Sequence, residues 1–507
     1  MFRPYPTAFP PRGWLLTFPP AGLYNPSISA SMTPSFDPSK VRRVYIIAIC
    51  GTGMASLAGL FKSSGFEVWG SDVNVYPPMS TLLDGLGIPV LPGFRRENIL
   101  DARDRIDLVI VGNAVSKDNE EVIAMQEAGL PYTSFPDALA RFFLEGRSSL
   151  VVAGTHGKTT TTALLAWTLH ACGKKPGFMA GGWLKNFDCN FQAPGGDVFV
   201  TEGDEYDTAF FDKGSKFLHY RPYAAILTGV EFDHADIFRD LDQVRGVFRG
   251  FVESIDRNGF LLVESSDTHG REIAETAAPC RLETYGFAEG ADWRVSGYRV
   301  AGGSCSFLLS HNGQAWGQLS LPLAGRYNAE NAAAVAALCA HLGIGPAEVA
   351  KGFLGFKGIK RRQEVVGVKN GVTVLDDFAH HPTAIRRTIE GVREAYPGCR
   401  LWAVFEPRSA SSRRRVFQDS FPPSFLGADR VLIAGLFAPE KIKPEERLDV
   451  ARVVADIGSL GGRAELIEGV EEIVDRVGRD CAPGDVVLVM SSGGFGGIHR
   501  KLLDRIG

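Results

Sequence analysis

The stretch from residue 148 to residue 173 reads SSLVVAGTHGKTTTTALLAWTLHACG. It begins with an apolar run typical of a buried parallel strand, and it continues in the Ala, Leu and Trp pattern of a packed helix that Gly173 is placed to end. Between them, Gly154 and Gly157 allow backbone conformations that a Cβ would obstruct, and Lys158 follows at once. The stretch therefore predicts a strand, a glycine turn and a helix in direct succession.

A turn of this kind binds phosphate, because free N–H groups and the positive end of the helix point to the same place. Lys158 adds a positive charge, and the hydroxyl of Thr159 is a ligand that Mg²⁺ accepts. The usual motif has one more glycine where this chain has Val152, so an ordinary strand-to-helix turn is the alternative interpretation. The context favours ATP, and the residues assigned to its phosphates are Gly154, Thr155, His156, Gly157, Lys158, Thr159 and Thr160.

Size and composition predict a globular protein with several domains. The chain has 507 residues, and about three domains are expected at roughly 150 residues each. The net charge is −4 without a basic tract, so nucleic acid is not an expected partner. The eight cysteines include no CxxC pair, and no apolar run has the length of a membrane helix. We therefore expect a cytoplasmic protein with reduced thiols that binds neither nucleic acid nor a membrane.

The N-terminal segment is rich in Pro, Ser and aromatic residues and has no helix or strand periodicity. Residues 1–40 are therefore predicted to be a disordered tail. Met32 lies shortly before the first expected strand, so residues 1–31 are translated only if synthesis begins at Met1. Translation from Met32 is a hypothesis that N-terminal peptide mapping of the native protein would test.

A Rossmann-like domain is expected after the tail. Strands are predicted over residues 44–49, 66–70 and 106–111, and a glycine turn and helix follow the first of them. Ser56 replaces the third glycine of the dinucleotide fingerprint, so the pattern favours a nucleotide or sugar-phosphate site over NAD specifically. The residues delivered to this edge of the sheet are Gly51, Thr52, Gly53, Met54, Ser71, Asp72 and Asn113.

Acidic residues follow two further strands downstream of the phosphate loop. Residues 197–201 lead to Glu202, and residues 224–228 lead to a segment that contains His234. Carboxylates at strand ends beside phosphate are what Mg²⁺ requires. His234 is either a ligand to a second cation or a helix cap, and the sequence leaves both interpretations open.

The remaining chain contains one irregular region and one further α/β unit. Residues 258–322 hold short alternating segments, which predict an antiparallel excursion. Asn328 and Asn331 share one face of the following Ala-rich helix, where they either contact a base or cap the helix. Beyond residue 361, strands alternate with helices in a doubly wound pattern that places ligands at the carboxyl edge. The strands predicted there cover residues 372–375, 401–405, 430–434 and 486–490.

An ordered series of motifs resembles the Mur ligase family of bacterial cell-wall synthesis. The motifs are GTHGKTTT (154–161), EGDEYD (202–207), EFDHAD (231–236), GRYNAEN (325–331), RRQE (361–364) and DDFAHHPT (376–383). Their order is specific, although each motif alone is not. The resemblance implies an α/β protein of three domains: a Rossmann-like N-terminal domain for a UDP-sugar (41–146), a central P-loop ATPase domain with a mostly parallel sheet (147–360) and a Rossmann-like C-terminal domain for an amino acid or peptide (361–507).

The resemblance also implies a reaction. The carboxylate of UDP-N-acetylmuramate attacks the γ-phosphate of ATP, and an amine captures the acyl phosphate to form an amide. Segments such as SDVNVYPPMSTLL (71–83) and MSSGGFGGIHRKLLD (490–504) resemble the branch that adds the tripeptide L-Ala-γ-D-Glu-meso-diaminopimelate in peptidoglycan recycling. The branch that adds L-alanine in de novo synthesis is the alternative, and Mg²⁺ is the implied metal in both.

Motif matching assigns roles to single residues. The implied catalytic residues are Lys158, Glu202, His234 and Arg362, and the implied Mg²⁺ ligands are Thr159, Glu202 and His234. The implied ATP contacts outside the phosphate loop are Asn328, Asn331, Arg362, Asp377 and His380. The residues at the edge of the Rossmann-like sheet are the implied UDP-sugar contacts. Arg408 is the candidate for a carboxylate of the peptide.

Three positions depart from the family pattern. Gly229 stands where relatives often have Asn, and Tyr327 stands where they have His, so altered adenine contacts are expected. Arg249 occupies the region where several members carry a carbamylated lysine, so no such lysine is expected here.

Two other classes of function account for parts of the sequence. An NAD-dependent oxidoreductase built on the Gly51 turn leaves Lys158 and Thr159 without a role, and it requires a nicotinamide absorbance change. A non-catalytic nucleotide-binding regulator binds ATP without releasing ADP when UDP-N-acetylmuramate and the amine are supplied together. The order of the motifs favours the ligase.

Overall fold

The computed structural model describes residues 36–507. Of the predicted tail, residues 1–35 lie outside the described residues, and the proposed start at Met32 is among them. Phe36 contacts the first domain, because the Arg141 guanidinium lies 3.9 Å from the centre of its ring and donates a 2.8 Å hydrogen bond to its carbonyl oxygen. The last residues of the predicted tail are therefore held against the N-terminal domain.

The N-terminal domain is built on a five-stranded parallel sheet. Its strands are β1 Arg43–Ile47, β2 Glu67–Asp72, β3 Val90–Pro92, β4 Leu108–Val111 and β5 Tyr132–Ser134. Its helices are α1 Thr52–Ser63, α2 Met79–Gly85, α3 Arg96–Leu100, α4 Glu120–Glu127 and α5 Phe135–Leu139. The strand order is β3-β2-β1-β4-β5 with every pair parallel, which confirms the predicted Rossmann-like domain.

The central domain contains a ten-stranded sheet and a small hairpin. The first strands are β6 Ser148–Ala153, β7 Gly177–Leu184, β8 Cys189–Gln192 and β9 Val198–Gly203, and the hairpin consists of β10 Asp207–Ala209 and β11 Asp212–Ser215. The remaining strands are β12 Ala224–Leu227, β13 Phe260–Glu264, β14 Arg281–Gly286, β15 Trp293–Ala301, β16 Ser304–His311 and β17 Gln314–Leu321. The helices are α6 Lys158–Ala171, α7 Leu241–Glu253, α8 Thr268–Ala277, α9 Arg326–His341 and α10 Pro346–Leu354.

The ten strands follow the order β17-β16-β15-β14-β13-β12-β6-β9-β7-β8, and the run from β7 to β15 is parallel. The predicted antiparallel excursion over residues 258–322 is therefore wrong in its first half. Every residue of β13 is buried and α8 crosses to β14, which is the arrangement of a parallel sheet. Only β15, β16 and β17 form the expected antiparallel unit.

The C-terminal domain has a six-stranded sheet in the order β18-β19-β23-β20-β21-β22. Its strands are β18 Glu364–Lys369, β19 Val372–Asp377, β20 Leu401–Phe405, β21 Arg430–Ile433, β22 Ala464–Leu466 and β23 Val486–Met490. Its helices are α11 Pro382–Ala395, α12 Phe421–Ser424, α13 Val450–Ser459, α14 Val470–Asp480 and α15 Ile498–Ile506. Only β18 pairs antiparallel, so the predicted doubly wound pattern is confirmed.

Short helical turns join these elements. Single 3₁₀ turns lie at Pro38–Lys40, Arg103–Arg105, Lys216–His219, Arg415–Phe417, Pro439–Lys441, Pro444–Glu446 and Phe495–Gly497, and a π-helical turn lies at Ala140–Leu144. Across residues 36–507, none of the helices combines the length and apolar character that a bilayer span requires.

Candidate active site

A single cleft of about 2270 Å³ is lined by residues of all three domains. The N-terminal domain contributes the Gly51 turn after β1. The central domain contributes the loop around Lys158, and the C-terminal domain contributes Phe378 after β19. Ligands of α/β sheets bind at the carboxyl ends of the strands, and these turns all lie there. Pockets for one small molecule measure roughly 300–1,000 Å³, so the cleft has room for a nucleotide and a second substrate together.

The phosphate loop forms despite its variant motif. Gly154 has a φ of +128°, and a Cβ there would collide with the Thr228 hydroxyl and lie 2.9 Å from the Gly229 carbonyl oxygen. Gly157, with a φ of +83°, immediately precedes the first residue of α6. The Thr228 hydroxyl donates a 2.5 Å hydrogen bond to the carbonyl oxygen of His156. The loop is therefore fixed against the end of β12, where only glycine fits at residue 154.

Lys158 is paired with a carboxylate that received no role from the sequence. Its Nζ donates to Glu205 Oε2 at 2.9 Å and to the Gly154 carbonyl oxygen at 2.7 Å. The Glu205 side chain is only 2% exposed. Burial acts to lower the pKa of Lys158, but Glu205 and other nearby acids outweigh it and raise that pKa. Burial acts to raise the pKa of Glu205. The Lys158 ammonium outweighs this effect and lowers the pKa to about 2.

His234 contacts the same carboxylate. Its Nε2 lies 3.0 Å from Glu205 Oε1, and its Nδ1 lies 2.5 Å from the Tyr206 hydroxyl. Burial acts to lower the pKa of His234, but Glu205 and Asp233 outweigh it and raise that pKa. The side chain does not cap a helix, since Asp240 caps α7. The helix-cap interpretation of His234 is therefore not supported, and its role as a cation ligand stays a prediction.

Thr159 and Glu202 lie side by side at the start of α6. The Thr159 hydroxyl donates to Glu202 Oε2 at 3.1 Å, and the Gly181 N–H donates to Glu202 Oε1 at 2.6 Å. Burial raises the pKa of Glu202, against the opposing effects of the Gly181 N–H, Lys158 and Arg362. An adjacent carboxylate and hydroxyl beside a phosphate loop fit Mg²⁺, which prefers oxygen ligands and substrate phosphates.

Arg362 reaches the same place from the linker between the central and C-terminal domains. Its Nη2 donates to the Thr159 hydroxyl at 3.4 Å, and its guanidinium carbon lies 5.0 Å from the centre of the Phe378 ring. Its neighbours Arg361 and Gln363 both have left-handed backbones, with φ of 62° and 48°. Such conformations persist only where the surrounding structure enforces them. The linker is therefore shaped to present Arg362 to the phosphate loop.

Asp377 supports this linker. Its carboxylate accepts hydrogen bonds from the Gln363 and Ala379 N–H groups, both at 2.8 Å, and burial raises its pKa. His380 lines the cleft, and its Nδ1 lies 3.1 Å from the Phe378 carbonyl oxygen. Asp377 thus positions the segment that carries Arg362, while the ring of His380 faces the shared cleft.

The two asparagines of α9 differ in their environments. Asn328 Nδ2 donates to the Ala324 carbonyl oxygen at 2.6 Å, so this side chain binds the start of its own helix. Asn331 Nδ2 is buried and has no hydrogen-bond partner within residues 36–507, and its side chain lies against the Gly157 turn. Tyr327 accepts a 2.5 Å hydrogen bond from Gln363 Nε2. Asn331 is therefore the residue of this group with an amide free for a ligand.

Most of the proposed UDP-sugar residues line the cleft, but Ser71 does not. Asp72 accepts hydrogen bonds from the Cys50 N–H at 2.9 Å and the Asn74 N–H at 2.8 Å, so it shapes two loops of the cleft. The Ser71 hydroxyl points away from the cleft and donates to buried Glu121 at 2.5 Å. Those that line the cleft are Gly51, Thr52, Gly53, Met54, Asp72 and Asn113.

Arg408 lies beside the cleft and does not line it. Its guanidinium carbon is 3.7 Å from the centre of the Phe437 ring, and a Cβ at Gly493 would overlap the guanidinium. Its Nη1 is 3.4 Å from Glu406 Oε1. The neighbouring Ser409 does line the cleft. Arg408 is therefore held by an aromatic ring and a carboxylate next to the space that a second substrate would fill.

Comparison with known families gives a match for each domain. The model for the Mur ligase family catalytic domain matches residues 43–147, that for the Mur ligase middle domain residues 152–339, and that for the Mur ligase glutamate ligase domain residues 361–493. The three matches follow one another along the chain in the order of the three sheets.

Individual relatives agree with these matches. The UDP-N-acetylmuramate–L-alanyl-γ-D-glutamyl-meso-2,6-diaminoheptandioate ligase of Escherichia coli K12 is 41% identical over 463 residues, which are 91% of this chain and 98% of that protein. The UDP-N-acetylmuramate–L-alanine ligase of Carboxydothermus hydrogenoformans is 31% identical over 466 residues, 92% of this chain and 97% of that protein. The crystal structure of a murein peptide ligase from Psychrobacter arcticus 273-4 aligns with a TM-score of 0.68 at 33% identity, over 92% of this chain and 99% of that one. The phosphate loop, the three domain sheets and these similarities together show that the chain belongs to the Mur ligase family.

Proposed function

We propose that this chain is the ATP-dependent ligase that joins the carboxylate of UDP-N-acetylmuramate to the amine of L-alanyl-γ-D-glutamyl-meso-diaminopimelate. The observation that carries the proposal is the identity of 41% to a ligase named for that peptide, against 31% to one named for L-alanine, over nearly the same length. The reaction belongs to peptidoglycan recycling, and we assign it to the cytoplasm, where ATP and the UDP-sugar are available.

Each domain has one substrate in this proposal. Residues 41–146 bind the UDP-sugar at the Gly51 turn, residues 147–360 bind ATP, and residues 361–507 bind the peptide with Arg408 directed at one of its carboxylates. A cleft lined by all three domains supports this assignment, because the three reacting groups must meet in one place.

The first step transfers the γ-phosphoryl group of ATP to a carboxylate oxygen of the sugar acid, and ADP leaves. Lys158 neutralises phosphate charge at the start of α6, and Arg362 adds a second positive group beside Thr159. Mg²⁺ held by Thr159 and Glu202, with His234 as a further candidate ligand, would supply additional neutralisation of the phosphates. The role of the protein in this step is to position the groups and balance their charge.

The second step forms the amide. The peptide amine attacks the acyl carbon, the carbon–oxygen bond to phosphate breaks, and inorganic phosphate leaves while the amine loses a proton. The proposed ATP site is completed by four residues that line the cleft: Asn331, whose amide is free, and Asn328, Asp377 and His380.

The amine specificity can be measured by ADP release with UDP-N-acetylmuramate and either the tripeptide or L-alanine. We expect kcat/KM to be at least about tenfold higher with the tripeptide, because a site built for its carboxylates leaves buried polar groups unpaired when L-alanine binds. Omission of UDP-N-acetylmuramate is the control and should abolish ADP release. An equal or higher value with L-alanine would assign the chain to the other branch, and no ADP release with either amine would refute the ligase.

A further inference from the structure

Three side chains next to the phosphate loop place their ligand atoms together, apart from the pair formed by Thr159 and Glu202. His156 Nε2 lies 3.7 Å from Glu231 Oε2, and His381 Nδ1 lies 3.9 Å from the same oxygen. The three ligand atoms all lie within 4.8 Å of one another. We refer to these three residues as the His-Glu-His cluster.

The members of the cluster come from three different elements. His156 belongs to the phosphate loop, Glu231 follows β12, and His381 is the residue immediately before α11 in the C-terminal domain. A ligand shared by the three would therefore join the central domain to the C-terminal domain directly beside the phosphates of ATP.

The hydrogen bonds around the cluster determine which ring nitrogen of His381 faces Glu231. His381 Nε2 lies 3.2 Å from the Phe232 carbonyl oxygen, which places the proton on Nε2 and leaves Nδ1 as an acceptor. That Nδ1 accepts a 3.3 Å hydrogen bond from the Thr383 N–H at the start of α11, and a bound metal ion would replace this bond. The Thr383 hydroxyl donates to Glu231 Oε2 at 2.7 Å and orients the carboxylate. This is the kind of outer support that metal ligands have in proteins.

His156 supplies the second observation. Its Nε2 is shielded from solvent and has no hydrogen-bond partner in the part of the chain that the structure describes. A buried polar atom without a partner is unfavourable, and a bound ion is one of the ways in which folded proteins satisfy such an atom. The Glu231 carboxylate lies 3.7 Å from this nitrogen, a distance too long for a hydrogen bond but suited to a shared cation.

We propose that the His-Glu-His cluster binds a divalent transition-metal ion, with Zn²⁺ as the best fit, at a site separate from that for Mg²⁺. Two imidazole nitrogens and one carboxylate oxygen form a donor set that suits Zn²⁺, Co²⁺ or Ni²⁺, whereas Mg²⁺ prefers oxygen alone. Zinc–ligand distances are about 2.0–2.2 Å, so closing the site needs shifts of roughly 1 Å or less in the side chains. Three protein ligands leave one position for water or a phosphate oxygen.

The site can be tested on full-length protein without a histidine tag, in the absence of nucleotide and Mg²⁺. Titration with Co²⁺ should give the visible absorption of a nitrogen-ligated ion with one equivalent bound, and Zn²⁺ should displace it. In His381→Asn the side-chain oxygen can still cap α11, but the ring nitrogen is lost, and we expect the affinity to fall by at least about 100-fold. His219→Asn is the matched control, because His219 pairs with Asp212 at 2.8 Å in another part of the chain and should leave metal binding unchanged.

Two further variants make the result independent of folding defects. Glu231→Gln should lose affinity as His381→Asn does, with circular dichroism spectra like that of the wild type. His234→Asn should retain Co²⁺ binding, because His234 contacts Glu205 and not the cluster. The proposal is overturned if the wild type binds no Co²⁺ or Zn²⁺, if both cluster variants bind as the wild type does, or if only His234→Asn loses the ion.

Discussion

Replacement of Lys158 by Met is expected to lower kcat for ADP release by about 10³-fold with UDP-N-acetylmuramate and the tripeptide. The substitution keeps the aliphatic stem but removes the charge at the start of α6, where the proposed site holds the β- and γ-phosphates. Loss of one preorganised charge-stabilising group typically lowers kcat by about 10²–10³-fold, and Lys158 acts on phosphates with several negative charges. The measurement is steady-state ADP release at saturating substrates.

The Lys158→Met variant also leaves buried Glu205 with His234 alone as its partner, so a folding defect must be separated from a catalytic one. The double variant Lys158→Met/Glu205→Gln removes both charges of the pair and should recover much of the lost thermal stability. It should stay as inactive as the single variant. Recovery of activity together with stability, or a wild-type rate in the single variant, would mean that Lys158 does not hold the phosphates.

Glu205→Ala is expected to destabilise the nucleotide-free protein by about 3–5 kcal/mol, because it removes the carboxylate that is paired directly with the largely buried Lys158 ammonium. For a domain of about 200 residues this corresponds to a fall of roughly 10 °C in the unfolding midpoint. The measurement is thermal unfolding with and without a non-hydrolysable ATP analogue and Mg²⁺. The analogue should narrow the difference between variant and wild type, because its phosphates replace the missing carboxylate as partner of Lys158.

The pH dependence of stability provides a control for Glu205. Its pKa is lowered from an ordinary 4.5 to about 2 in the folded protein. A carboxyl whose pKa is depressed stabilises the fold fully above its unfolded pKa, and this contribution is lost as the pH falls through the folded value. The gap in unfolding midpoint between wild type and Glu205→Gln should therefore shrink between pH 4.5 and pH 2. A gap that is constant over this window, and unaffected by nucleotide, would contradict the pairing.

Local features of the chain were sufficient to predict the phosphate loop and the strands that deliver residues to the site. The apolar run of β6 is directly followed by its glycines, and the apolar run of β9 directly precedes Glu202, so periodicity and turn chemistry are sufficient for each segment. The contact between Thr159 and Glu202 followed from the rule that carboxyl ends of neighbouring parallel strands meet.

Pairings across loops could not be predicted in the same way. Glu205 lies in a motif that was recognised, but its contacts with both Lys158 and His234 depend on how the segment after β9 folds back over the start of α6. The His-Glu-His cluster depends in addition on the approach of the C-terminal domain. For Ser71, the alternation of side chains along β2 was a signal in the sequence that motif matching did not use. Successive residues of a strand point to opposite faces, so Ser71 and Asp72 could not both face the cleft.

The prediction of an antiparallel excursion over residues 258–322 was wrong for a different reason. That prediction relied on short apolar segments and turn residues, which occur both in antiparallel hairpins and at the edges of parallel sheets. Complete burial of β13 and the crossover helix α8 decide the question, and both depend on tertiary packing as much as on local sequence.

In the proposed complex, ATP lies across the start of α6 with its γ-phosphate directed at a sugar acid held by the N-terminal domain. A crystal structure with a non-hydrolysable ATP analogue and UDP-N-acetylmuramate tests it most directly. We expect the β- and γ-phosphates to contact Lys158, which will have left Glu205, and the uridine diphosphate to lie at the Gly51 turn. Adenine nucleotide bound at the Gly51 turn, with Lys158 still paired to Glu205, would contradict it.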